Sequence, residues 1–316
     1  QKTSNDTYLR ANKLKSPIIT NKEFLESSIN LDLYSEDFSF RSELTVYEDL
    51  NKNHSDRYEF ILPRIDITKK IKNKTKLDGS FLLNSNNLIR NYETNIFEKT
   101  NINELVFNSN SKITNSGIIN NYDFKLKNIN SDAQNSSSYK ENDNFYFSGL
   151  LQYNSSLPLL KENDVFRKIL KPKISFRISP NNTKDIRNRY VRMDVNNIYN
   201  LDRLSSANTA EGGASITYGS DFTYFDKKKS KETFNFKIAN NLRLEENKDL
   251  PVNNQIGQKT SDFFGEISYS PNQIFTTKYN ASVKNNLSDI SYENFTTEIS
   301  LNNFVTTFDY LNENNS

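Results

Sequence analysis

Asp202 and Arg203, followed by Ala207-Asn208 and then Gly213, are the place where residue type and spacing suggest a built site. The adjacent opposite charges can pair with each other. Asn208 can bind backbone at the entrance to a strand, because its amide mimics a peptide group. Gly213 permits close packing or a bulge where a side chain would not fit. Elsewhere the chain offers little for covalent chemistry. It has one histidine, His54, in the polar run Asn51-Lys52-Asn53-His54-Ser55, and no cysteine. No nucleophile–base pair can be assembled from that inventory. A thiolate metal site is ruled out and one built on His54 is not expected; His54 reads as a solvated loop residue. There is no glycine-rich phosphate loop. The carboxylates are scattered, and no catalytic pair stands out among them. The chain is therefore expected not to be an enzyme and to carry no cofactor. No ligand set for calcium or magnesium is readable either.

The elements that must position these residues are strands. Along residues 213–224 the even positions read Ala214, Ile216, Tyr218, Ser220, Phe222 and Tyr224, and the odd ones Ser215, Thr217, Gly219, Asp221 and Thr223. After the charged turn Asp226–Lys231 the alternation resumes. Phe234, Phe236, Ile238, Leu242 and Leu244 share one face, and Thr233, Asn235, Lys237, Asn241 and Arg243 the other. Successive side chains of a strand point to opposite faces, so this is a long hairpin with an apolar and a polar side. Each arm is about the length a tilted strand needs to cross a bilayer. The pattern recurs at Phe38–Val46, Ile174–Ile178, Phe263–Tyr269, Phe275–Val283 and Phe295–Leu301. On the polar face, Lys237, Arg243, Lys278 and Glu298 are candidates for a lumen lining.

Composition supports a membrane barrel over a soluble fold. Only 34% of residues are hydrophobic, yet there are 22 Phe and 17 Tyr. Mean hydropathy is −0.78. Disordered chains are poor in aromatics, whereas a barrel has a polar lumen, polar loops and lipid contact at every second strand residue. A net charge of +2 gives no argument for nucleic-acid binding. No apolar run approaches the ~18 residues of a transmembrane helix. A soluble β-sandwich would have strands of ~5–6 residues, shorter than these arms. A β-solenoid adhesin would show a fixed repeat, and none is present. The expected fold class is all-β, a transmembrane antiparallel β-barrel, here in part.

Long polar connections (Ser131–Asn144, Asn181–Ser206, Glu245–Lys259) alternate with short ones (Asp226–Lys231, Ser270–Gln273, Asn302-Asn303), apart from a short loop near Asn285–Asp289. Long loops lie outside and short turns face the periplasm in such barrels. Roughly a dozen to fourteen strands are expected, an even number. At Tyr58–Ile67 the apolar positions switch from even to odd around Pro63, which predicts a bulge or kink there. Residues 157–170 have room for one short helical turn. The absence of a signal sequence at Gln1 and of a closing aromatic at Ser316 suggests an internal piece of a longer protein. An open sheet of this width leaves two unpaired edges, so the piece is not expected to fold alone.

Four segments, in order, carry a family resemblance. Asp202-Arg203, Ala207-Asn208 and Gly213 resemble the Asp-Arg-x-x-x-Ala-Asn-x-x-x-x-Gly block of the LPS-assembly outer-membrane protein, the LptD or organic solvent tolerance family. Tyr58–Pro63 resembles its early Leu-Pro strand. Leu157-Pro158-Leu159 with Leu170–Ile174 resembles the lead into its central strands. Gln258–Gly265 followed by Ser270-Pro271 resembles its later Ser-Asp-x-x-Gly and Ser-Pro strand pair. The resemblance implies that residues 1–316 belong to one C-terminal barrel domain. The N-terminal periplasmic domain, the closing strands and the cysteines of the family would lie outside it. It implies a Gram-negative outer-membrane translocon that inserts lipopolysaccharide into the outer leaflet by lateral opening, without catalysis. The implied partners are lipopolysaccharide, membrane lipid, an LptE-like plug lipoprotein in the lumen, the periplasmic bridge proteins of the transport pathway and the barrel-assembly machinery. The motif residues would fix a large outer loop against the wall; the competing role is contact with a lipid A phosphate or sugar. The alternative functions are a general porin or small-solute transporter and a soluble β-rich surface adhesin.

Overall fold

The computed structural model describes residues 6–8, 23–73 and 77–313. The fold is all-β. Its strands are β1 (Phe24–Tyr34), β2 (Phe38–Asp49), β3 (Tyr58–Ile71), β4 (Gly79–Tyr92), β5 (Ile96–Ser109), β6 (Lys112–Ile113), β7 (Ile119–Gln134) and β8 (Asn144–Ser156). They continue as β9 (Leu159–Glu162), β10 (Phe166–Ser179), β11 (Gly213–Asp226), β12 (Lys231–Arg243), β13 (Phe263–Tyr269), β14 (Phe275–Val283), β15 (Ile290–Leu301) and β16 (Phe304–Glu313). The pairing order is β1-β2-β3-β4-β5-β7-β8-β10-β11-β12-β13-β14-β15-β16, with β6 beside β7 and β9 beside β10. Fourteen strands thus form the main path, as the alternation implies, and the two others are short. Residues 157–170 hold no helical turn: Leu159–Glu162 pair with the start of β10 instead. β7 also runs on through Ser131–Gln134, which the polar composition places in a loop.

The chain divides into two compact units, Gln1–Phe107 with Leu126–Ser148, and Asn108–Lys125 with Gly149–Ser316. In the first, the predicted bulge is present. Thr45 faces Ile61 and Glu43 faces Arg64, so Leu62 and Pro63 together oppose a single residue. Phe60 then lies opposite Val46 and Ile67 opposite Phe40. The extra residue brings the odd-numbered isoleucines onto the face that the even-numbered aromatics occupy. That face is not uniformly apolar. Ser85 and Asn87 sit opposite Ile67 and Ile65, and an amide ladder continues from them. Asn101 donates to Asn87, Asn103 to Asn101 at 2.6 Å, and Asn130 to Asn128 at 2.8 Å. Amides bonded to one another occupy positions where alternation calls for hydrocarbon.

In the second unit the expected hairpin β11–β12 forms, with Phe222 opposite Phe236 and Asp221 opposite Lys237. Its faces are inverted relative to a protein folded around a hydrophobic core. Ile174, Phe176 and Ile178 are exposed, Ile178 by 58%, while their neighbours Ser175 and Arg177 are buried. Tyr218, Ile238, Leu242 and Ile267 repeat the pattern. What covers the polar face is the chain itself. The connections 180–212 and 244–262 fold onto it around a small apolar core of Ile186, Met193, Val195, Ile198, Leu204, Leu250, Ile256 and Phe264, closed by Ala239 from β12. Each such aliphatic side chain contributes about 1.5–3 kcal/mol on burial.

Candidate functional site

The site lies where the 180–212 connection meets the polar face of β10, β11 and β12. Its centre is Glu211, which is fully buried. Arg203 donates to the Glu211 carboxylate from Nε at 2.8 Å and again from Nη2. Arg243, at the end of β12, reaches the same carboxylate from Nη1 at 2.7 Å. Arg177, on β10, approaches it at 3.4 Å and donates from Nη2 to the Glu211 carbonyl at 2.6 Å. Burial opposes the charge on Glu211, but the three guanidinium groups outweigh it and hold the carboxyl below the ordinary glutamate range.

Most of the remaining donors of the arginines find acceptors on the strands and the loop, while Arg177 Nη1 makes only its ion contact with Glu211 among the described residues. Arg203 Nη1 donates to Asn241 Oδ1 at 2.6 Å and to Thr217 Oγ1 at 3.3 Å, and its Nη2 to Ser215 at 3.1 Å. Arg177 Nε donates to the Leu201 carbonyl at 2.9 Å. Arg243 Nη2 donates to the Gly212 carbonyl. Planar, many-donor guanidinium groups suit such a junction, and a lysine would not reproduce it. Gly213 is needed beside it. Its φ is +91°, and a Cβ there would sit 2.6 Å from Arg243 Nη2. Gly219 serves the same packing further along β11, since a Cβ there would meet Tyr199 Oη of the loop at 2.6 Å. Burial pushes the Tyr199 phenol above its ordinary range.

The structure separates the two charged residues of the motif. Asp202 and Arg203 do not pair. Asp202 bonds Lys125 of β7 at 2.9 Å, and Arg203 turns the other way to Glu211. Asp202 thus reaches a strand of the wall, whereas Arg203 finds its acid within its own connection. Ala207 is exposed, and Asn208 accepts a hydrogen bond from Ser206 at 2.8 Å. Of the polar-face candidates, Arg243 joins the Glu211 cluster. Lys237 and Lys278 meet on Glu266 of β13, at 2.8 and 2.9 Å. Glu298 stands apart, exposed, and accepts from Ser300 at 3.2 Å.

Sequence reasoning misses Glu211, Arg177, Lys125 and Glu266 as site residues. Arg177 and Glu266 carry the right face parity, but so do many other charges. Glu211 lies in irregular chain and has no periodicity to mark it. The Ser261-Asp262 pair also proves structural. Asp262 is buried and accepts from Ser282 at 2.9 Å and Ser291 at 2.7 Å. Asn240 donates to the Ser261 carbonyl at 2.9 Å, tying the 244–262 connection down. No group of acidic, histidine or cysteine residues that could hold a metal ion occurs among the described residues. The arrangement is an ionic and hydrogen-bonded lock between loops and wall.

No curated protein matches the chain. Among solved structures, the alcaligin outer-membrane receptor FauA of Bordetella pertussis is similar at 9% identity and a TM-score of 0.29. The match covers 92% of this chain and 65% of that one. A family-level comparison matches residues 1–316 to "LptD: LPS transport system D". The chain therefore belongs to the LptD family, a family of Gram-negative outer-membrane transport proteins and not of enzymes.

Proposed function

We propose that the chain is part of the wall of a large outer-membrane barrel that inserts lipopolysaccharide into the outer leaflet by opening between strands. The observation that carries this reading is the inversion of the second unit. Aromatic and aliphatic side chains such as Phe176 and Ile178 stand exposed, while Arg177, Glu211, Asn241 and Arg243 are buried behind them. An apolar exterior suits acyl chains, and a polar interior suits sugar and phosphate. Together with the family it favours a route in which the saccharide follows the polar face and the acyl chains pass into lipid. On this reading residues 1–316 are one section of a single barrel domain. The lumen takes an LptE-like plug lipoprotein, cargo arrives along periplasmic bridge proteins, and the barrel-assembly machinery inserts the chain.

The test is depletion of the full-length protein in its native cell, following newly made lipopolysaccharide. The reading predicts loss at the cell surface and accumulation at the inner membrane. Unchanged export with reduced uptake of small solutes would replace it with a diffusion pore.

A further inference from the structure

Beneath the infolded loop lies a cavity of about 380 Å³, within the second unit and midway along the strands. That volume lies in the range of small-ligand sites. Lys171, Lys173 and Lys237 line it, against one carboxylate, Asp221. Two of the lysines are held. Lys173 pairs with Asp221 at 2.8 Å, with its ammonium 4.4 Å from the centre of the Tyr199 ring. Lys237 pairs with Glu266 at 2.8 Å and donates to Asn196 of the loop at 3.1 Å. Lys171 is on the same face as Lys173, directly opposite Asp221 in register. Asp221 is taken by Lys173, and Lys171 makes no ion pair among the described residues. The rest of the lining is mainly amides and hydroxyls, with Asn154 oriented by a bond to Asp123 at 3.0 Å.

We infer that this cleft binds an anionic saccharide, its phosphate or carboxylate at Lys171 and its hydroxyls at the surrounding amides. An acyl chain would have only Ile119, Ile174, Val195 and the Tyr199 ring to pack against, beside three lysines. A neutral sugar would leave Lys171 without a counter-charge, whereas an ammonium facing an anion makes a charge-assisted bond. The loop that roofs the cleft is pinned by Glu211, so the site is preformed. The inference rests on the transport reading, because it takes the ligand to be the sugar portion of the cargo.

The experiment places a benzophenone-bearing amino acid at Ser156, a lining residue opposite Lys173 in register and so on the polar face, in the full-length protein in native membranes, and measures cross-linking to lipopolysaccharide. Lys171→Gln breaks no ion pair, so it tests the site without unfolding it. Cross-linking at Ser156 is expected to fall roughly tenfold in Lys171→Gln, the worth of one charge-assisted hydrogen bond, and to persist in Lys171→Arg. Phosphatase treatment of the lipopolysaccharide lowers the signal if the group is a phosphate and spares it if a sugar carboxylate, and either supports the site. A signal at Ser156 indifferent to Lys171→Gln overturns it. Cross-linking at a probe on Glu298 but not at Ser156 also overturns the cleft while sparing the transport reading. No cross-linking at either position, with surface lipopolysaccharide unaffected by depletion, removes both.

Discussion

Glu211→Gln is the perturbation that most directly tests the lock. Glutamine keeps the shape of the side chain and one acceptor oxygen, so the change isolates the charge. In the native protein the carboxylate faces Arg203 at 2.8 Å, Arg243 at 2.7 Å and Arg177 at 3.4 Å, with all four side chains essentially shut off from water. Removing one partner of a single buried pair costs about 3–5 kcal/mol, because the other charge is left uncompensated. Here three guanidinium groups lose their shared counter-charge, so about 3 kcal/mol is the lower bound. The assay is equilibrium unfolding of the full-length protein in detergent by urea, with protease cleavage in 180–212 as a local readout. A second substitution, Arg243→Met, in the Glu211→Gln background removes one stranded cation and is expected to recover part of the loss, a coupling that independent sites would not show. The dependence on pH has a definite sign. The folded carboxyl lies below its unfolded value near 4.5. Its contribution is therefore complete above about pH 4.5 and is lost as the pH falls through the folded value. The gap between wild type and Glu211→Gln should stay constant from neutral pH down to about 5 and close only in stronger acid. A gap below about 1 kcal/mol at neutral pH, the size of an exposed pair, would refute the reasoning.

Three further outcomes follow from other parts of the structure. Gly213→Ala places a Cβ 2.6 Å from Arg243 Nη2 at a φ of +91°, and should destabilise by about 1–3 kcal/mol in the same unfolding assay. Phe176→Arg puts a charge on a face that is 45% exposed at that residue; in lipid it should cost about 2–4 kcal/mol near the bilayer midplane, whereas in a soluble protein the folding yield would be unchanged. Asp202→Asn removes the carboxylate from Lys125, a pair at 2.9 Å with both side chains 13% exposed. It should open the connection to protease while Glu298→Ala, at an exposed position, leaves cleavage rates unchanged.

How far the sequence reveals this molecule depends on whether a residue's partner is set by a period. The hairpin β11–β12 is legible because Phe222, Phe234 and Phe236 recur at spacing two around a charged turn. The bulge at Leu62-Pro63 is legible for the same reason, since one inserted residue must show as a switch from even to odd. The β4–β5–β7 region is not, because Asn87, Asn101, Asn103 and Asn128 satisfy one another across strands and so stand where apolar residues would otherwise mark the face. The lock is least legible of all. Its motif residues Arg203 and Gly213 are visible, but the pairing is not. Adjacent Asp202 and Arg203 look like natural partners, and the fold sends them to Lys125 and Glu211 instead. That choice is made by an irregular connection whose path is fixed by a small core, Ile198 and Leu204 against Leu250 and Ile256. Each of those aliphatic residues is unremarkable in sequence, and only their meeting aims Arg203 at Glu211. A barrel wall can thus be read strand by strand, whereas the elements that fill it are specified by contacts between distant loops. In a chain whose exterior is lipid-like and whose interior is polar, those contacts are ionic and hydrogen-bonded, and they tolerate substitution least where three arginines share one acid.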